Sequence, residues 1–106
     1  MPLKKYDDII NLMEIKRKDD GGKGRFYIED NGNQIGLMTY RKSGDGVITI
    51  DHTEVDSNHR GEGLGEDLVA EAVNFARENN LKIGATCPFA RKLIDRTPEF
   101  QDVSEN

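Results

Sequence analysis

The hydrophobic positions of this chain change period once, at a run of glycines around residue 61. Before that run, short apolar stretches alternate with turn signals. Leu12 to Lys18 alternates with Met13, Ile15 and Arg17 on one side, and Arg25 to Glu29 carries Phe26, Tyr27 and Ile28. Gln34 to Lys42 is a third stretch and Val47 to Val55 a fourth. Between them lie Asp19-Asp20-Gly21-Gly22, Asp30-Asn31-Gly32-Asn33 and Ser43-Gly44-Asp45-Gly46. Each is short enough to close a hairpin, and Asn-Gly is the strongest such signal. Four strands joined by tight turns predict an antiparallel meander. Ahead of them, Tyr6, Ile9, Ile10 and Met13 would line one face of a short helix or pad the edge of the core.

After the glycines the apolar residues are Leu64, Leu68, Val69, Ala72, Val73, Phe75 and Ala76. Steps of three and four mark an amphipathic helix. Asn79-Asn80 should end it, since Asn tolerates the left-handed backbone at a helix C-terminus. Leu81 to Cys87 reads as a short buried strand, reached by a crossover and so parallel to the fourth. Pro88 suits the first turn of a second helix over Phe89 to Asp95, and Pro98 stops it. The tail after Phe100 is expected to be loosely held. The fold class is α/β (α+β): a four-stranded antiparallel meander, a crossover helix, a fifth strand and a short C-terminal helix.

Length and charge narrow the function. At 106 residues, one domain spanning 1–106 is expected. The net charge of -5, with both signs mixed along the chain, argues against a nucleic-acid partner, which would demand a basic patch. No apolar run approaches a membrane span. The N-terminus has no apolar stretch after its lysines, so no signal peptide is read there. A single cysteine, Cys87, suits a reducing compartment and allows no internal disulfide. With two histidines beside it, no metal site is expected. A cytoplasmic protein is the resulting expectation.

The candidate chemistry lies in Arg60-Gly61-Glu62-Gly63-Leu64-Gly65, between a strand and a helix. Glycines let the backbone approach an anion closely. The first helical N–H groups lack intrahelical partners and the helix dipole adds positive potential, so a pyrophosphate can rest there. His59 and Arg60 are donors beside it. The Gly-x-x-x-x-Gly-Lys-Ser/Thr pattern of a P-loop is absent, and a dinucleotide fingerprint fails because Glu66 stands where its third glycine belongs. A scheme Arg/Gln-x-x-Gly-x-Gly/Ala fits from Arg60. The structural alternative is a tight turn that only packs helix on sheet.

That spacing, in that order of elements, resembles the GNAT superfamily of N-acetyltransferases. Ile50-Asp51-His52-Thr53-Glu54-Val55, Cys87-Pro88-Phe89-Ala90 and Pro98-Glu99-Phe100 extend the likeness to its minimal YjdJ-like subgroup over roughly residues 12 to 103. The resemblance implies a shortened GNAT without the long helical segment between the first two strands. It implies acetyl-CoA as cosubstrate, lying where strands four and five splay apart, and transfer of acetyl to a primary amine on a small molecule or a protein lysine. A non-catalytic acyl-CoA-binding or protein-interaction module of the same fold is the alternative. The implied cofactor contacts are Val55, through main-chain bonds to the pantetheine arm, then Arg60, Gly61, Glu62, Gly63, Leu64 and Gly65, with Cys87 and Phe89.

Three residues are implied as catalytic. Cys87 would sit near the thioester as acyl acceptor or general acid; a buried, inert thiol is its structural alternative. Glu54 or His52 on the fourth strand would be the general base. Their structural alternatives are an exposed carboxylate and a core histidine that braces the strand. Asp51, Glu54 and Asp56 could draw in a cationic substrate. Arg91, Lys92 and Arg96 either face phosphates or solvate a surface. One departure stands out: many GNAT enzymes carry a thiolate-protonating tyrosine on the last helix, where Leu93 stands here.

Overall fold

In the computed structural model, which describes residues 13–105, the alternating stretches become four strands of one sheet. They are β1 (Met13–Asp19), β2 (Lys23–Asp30), β3 (Asn33–Ser43) and β4 (Val47–Val55). Helix α1 (Leu64–Glu78) crosses to β5 (Lys82–Ala85), and helix α2 (Pro88–Arg96) follows. Short 3-10 turns cover Ser57–His59 and Pro98–Phe100. The sheet order is β1-β2-β3-β4-β5, with antiparallel neighbours except the parallel β4–β5 pair. The reading of Tyr6, Ile9 and Ile10, and of Leu12 as the first strand residue, lies outside the described residues.

The hairpin turns follow their residues. Asn31 and Gly32 have φ of 53° and 84°, as a two-residue turn compatible with strand twist requires. The ladders run closer to the turns than expected, because pairing continues until the turn's own geometry stops it: β2 reaches from Lys23 to Asp30. Helix α1 ends as its asparagines suggest. Asn80 has φ of 57° and the Leu81 N–H donates to Ala76 O at 2.8 Å, satisfying a terminal carbonyl.

One face of the sheet packs on α1. Phe26, Ile28, Met38, Tyr40, Ile48 and Ile50 meet Leu68, Val69, Ala72, Val73 and Ala76 in a single buried cluster. Phe26, Tyr40 and Phe75 form an aromatic group, with ring centroids 5.4 to 6.4 Å apart. Arg17 caps it, its guanidinium 4.3 Å from the Phe75 centroid.

The tail corrects an expectation. It is tied down rather than loose: Val103 is buried, the Ile83 N–H donates to Val103 O at 2.7 Å and the Glu105 N–H to Ile83 O at 2.7 Å. Arg77 grips Asp102 through two bonds of 2.8 Å. The cause is the edge of β5, whose main-chain groups need partners and take them from the returning chain.

The candidate cofactor groove

Two features of β4 set up the site. The first is a bulge. Thr39 pairs with His52 but Tyr40 pairs with Ile50, so Asp51 is an extra residue in the ladder. It hydrogen-bonds to the Thr39 hydroxyl on the sheet face opposite α1. Because strand side chains alternate, one extra residue reverses the faces beyond it. Ile48 and Ile50 point to the core, but Thr53 and Val55, not His52 and Glu54, continue that face: Thr53 pairs with buried Met38 and Val55 with Gly36.

His52 and Glu54 therefore emerge on the other face, their side chains 57% and 60% exposed and 3.6 Å apart. The expectation of a core histidine at 52 fails for this reason. Glu54 is the exposed carboxylate of its structural alternative and still reaches the rim of the groove.

The second feature is the splay. The β4–β5 ladder ends at Ile50↔Ala85, where the N–H groups of Thr86 and Cys87 both donate to Ile50 O at 2.9 and 3.2 Å. That shared carbonyl shortens β5 to Lys82–Ala85, against an expected 81–87. Strand β4 runs on to Val55 without a neighbour on that side. The Asp56 N–H donates to Ile35 O at 2.8 Å. By alternation, His52, Glu54 and Asp56 then direct their main-chain groups to β3, and Thr53 and Val55 direct theirs to the open edge.

The open edge leads to the glycine turn. A groove of about 530 Å³ runs from Thr53 and Val55 past Arg60 to Gly61, Gly63 and Gly65, with Phe89 on its far wall. Its glycines are needed for different reasons. Gly61 and Gly63 have φ of 86° and 79°, a backbone that side chains disfavour. Gly65 is required for space, because a Cβ there would lie 2.9 Å from Cζ of Phe89. Gly63 is the N-cap of α1 and no side chain caps the helix. The first N–H to find an intrahelical partner is that of Asp67, on Gly63 O at 3.0 Å. The N–H groups of Leu64, Gly65 and Glu66, in the turn before it, have no intrahelical carbonyl to reach.

Glu54, Val55, Arg60, Gly61, Gly63, Leu64, Gly65 and Phe89 thus share one groove. Glu62 projects beside it, its carboxylate 3.0 Å from His59 Nδ1. Cys87 is set back: it is the N-cap of α2, buried, and its Sγ donates to Thr53 Oγ1 at 3.4 Å. His52 stays outside. Leu93 is buried in α2, while Arg91, Lys92 and Arg96 are exposed. Thr53 was not singled out in the sequence, since only the bulge turns it toward Cys87. Among the described residues, no group of three or more His, Cys, Asp or Glu side chains could hold a metal ion.

The sequence profile described as GCN5-related N-acetyl-transferase matches residues 25–103. The chain belongs to this family. Mouse Protein NATD1 is 28% identical over 85 residues, covering 79% of this chain and 77% of that one. The solution structure of a GCN5-like protein from Staphylococcus aureus superposes with a TM-score of 0.71 at 39% identity, covering 89% of each chain. A Bacillus anthracis acetyltransferase in complex with acetyl coenzyme A shares the fold, with a TM-score of 0.52 and 24% identity over 61% of this chain and 38% of that one. The GNAT family, rather than the YjdJ-like subgroup within it, is what these likenesses establish. Strands β1 and β2 are joined by a three-residue turn at 20–22 with no helix between them. No helix among the described residues is long and apolar enough to cross a membrane.

Proposed function

We propose that this protein is an acetyl-CoA-dependent N-acetyltransferase that passes acetyl to a primary amine, on a small molecule or a protein lysine. The observation that carries the reading is the continuity of the groove: an uncapped, glycine-lined helix start opens directly onto the unpaired edge of β4. One end suits a pyrophosphate and the other an extended amide-bearing arm. A structural neighbour of the same fold from Bacillus anthracis, solved in complex with acetyl coenzyme A, supports it.

In this reading Arg60 and the main chain from Gly61 through Glu62, Gly63 and Leu64 to Gly65 hold the pyrophosphate, with Phe89 as a wall. The main chain of Val55 bonds the pantetheine arm. The thioester then lies where β4 and β5 part. Glu54, or His52 beside it, takes the proton of the attacking amine from one face. The amine nitrogen bonds to the thioester carbon, the oxyanion is held by N–H groups of β4, and the C–S bond breaks. Cys87, behind Thr53 on the other face, protonates the departing thiolate or carries the acetyl group transiently. The single cysteine supports a cytoplasmic setting.

The buried Leu93 favours a second reading, a non-catalytic acyl-CoA-binding or protein-interaction module, because no phenol stands on α2 to protonate the thiolate. Thermal melting with CoA, followed by CoA release from acetyl-CoA across a panel of amines, separates the two. Absence of any shift at saturating CoA would falsify both cofactor-binding readings and leave only a protein-interaction module. Binding without release for any amine would leave only the acyl-CoA-binding module. Gly63→Asp should abolish binding, and acetyl on Cys87 in an intact mass spectrum, lost in Cys87→Ala, would establish the covalent route.

A further inference from the structure

The glycine turn contains a residue that works against its proposed ligand. Glu62 lies between Gly61 and Gly63, so it brings a negative charge beside the place where an anion would rest. Glu66 adds a second negative charge in the first helical turn. The only cations adjoining the turn in sequence are His59 and Arg60. His59 is spoken for: its Nδ1 lies 3.0 Å from Glu62 Oε1, and its side chain, 21% exposed, lines the groove.

Resting on the cofactor reading above, we infer that His59 is a positioning residue, which tethers and neutralises Glu62 so that the turn accepts a pyrophosphate. The surroundings favour its charged form. The hydrogen bond to the Glu62 carboxylate raises the His59 pKa, burial opposes this, and the charges of Glu62, Asp56 just after β4 and Asp30 at the end of β2 raise it further. Below the raised value the His59–Glu62 pair is net neutral. As pH climbs through it, the imidazole loses its proton and a full negative charge returns to the turn. Cofactor affinity should fall in the same window, above the ordinary histidine range.

The test is titration calorimetry at about pH 6 and about pH 8.5, with CoA and with dephospho-CoA to remove titration of the ligand's terminal phosphate. The expected loss for the wild-type protein is about threefold to tenfold, the scale of one unit charge near a solvated anion. Glu62→Gln should remove most of that loss and bind more tightly than wild type at the higher pH. His59→Gln keeps a donor but no charge; it should be weak at both pH values and be rescued by Glu62→Gln in the double variant. A His59 that only braces the turn would show no such pH dependence and no such rescue. Glu62→Gln no tighter than wild type at the higher pH, or a double variant as weak as His59→Gln, overturns the inference while leaving the cofactor reading intact. Absence of CoA binding by the wild-type protein overturns both.

Discussion

Replacing Gly65 with alanine should alter cofactor binding far more than stability. Gly65 is buried in the first turn of α1, and a Cβ there would lie 2.9 and 3.0 Å from Cζ and Cε2 of Phe89. Carbon atoms prefer about 3.5–4.0 Å, so the ring must move by roughly 1 Å. It is 40% exposed and can swing without dragging the backbone. Lost packing and strain should cost about 1 kcal/mol, the low end for overpacking. Alanine returns up to about 1 kcal/mol in helix propensity, less in a first turn. The net change in stability is therefore within about 1 kcal/mol of zero. The displaced ring has the groove to move into, so CoA affinity should fall by about tenfold, or about 1.4 kcal/mol. Urea denaturation of wild type, Gly65→Ala, Phe89→Ala and the double variant isolates the contact. Without the ring, Gly65→Ala should stabilise, giving a coupling energy of about 1 kcal/mol. Effects that add to within about 0.3 kcal/mol would refute the contact and the reason given for the glycine.

Other substitutions probe the fold. Val103→Ala should lower stability by about 1.5 kcal/mol, two buried methylene equivalents, whereas a loosely held tail would give a value near zero in the same denaturation assay. Gly24→Ala places a Cβ 2.5 Å from Cζ and Oη of fully buried Tyr40 and 2.9 Å from Lys18 O; with no room to yield, it should destabilise by about 1–3 kcal/mol or more in urea, and a neutral result would contradict the packing. The Arg77 guanidinium, by its hydrogen bond, holds the Asp102 carboxyl below its ordinary value. A lowered folded pKa gives stability that is present above the unfolded Asp pKa and lost as pH falls through the folded one. Melting curves of wild type and Arg77→Ala should thus differ at neutral pH and converge in acid; a constant gap would contradict the ion pair's role.

The elements were legible because they follow from local physics. Alternation marked β1 to β4, the Asn-Gly pair marked its hairpin, and the change of period at Leu64 marked α1. The pairing of Arg60 with Gly63 and Gly65 marked the start of the groove. The errors were all non-local. The tail lacks apolar periodicity, yet an unpaired edge of β5 recruits it. His52 lies in phase with Ile48 and Ile50, and period-two counting placed it in the core.

By itself, then, the sequence determined the order of elements, the uncapped glycine-rich helix start and the family likeness, since each is written in residues close together in the chain. The tertiary structure decided which face each β4 side chain takes. One extra residue at Asp51 reverses the faces beyond it, and nothing in the spelling of β4 announces it, because a bulge exists only relative to the strand alongside. The same is true of Gly65, whose partner Phe89 lies 24 positions away. Its glycine is demanded by a contact between two helices, and only the folded chain brings them together.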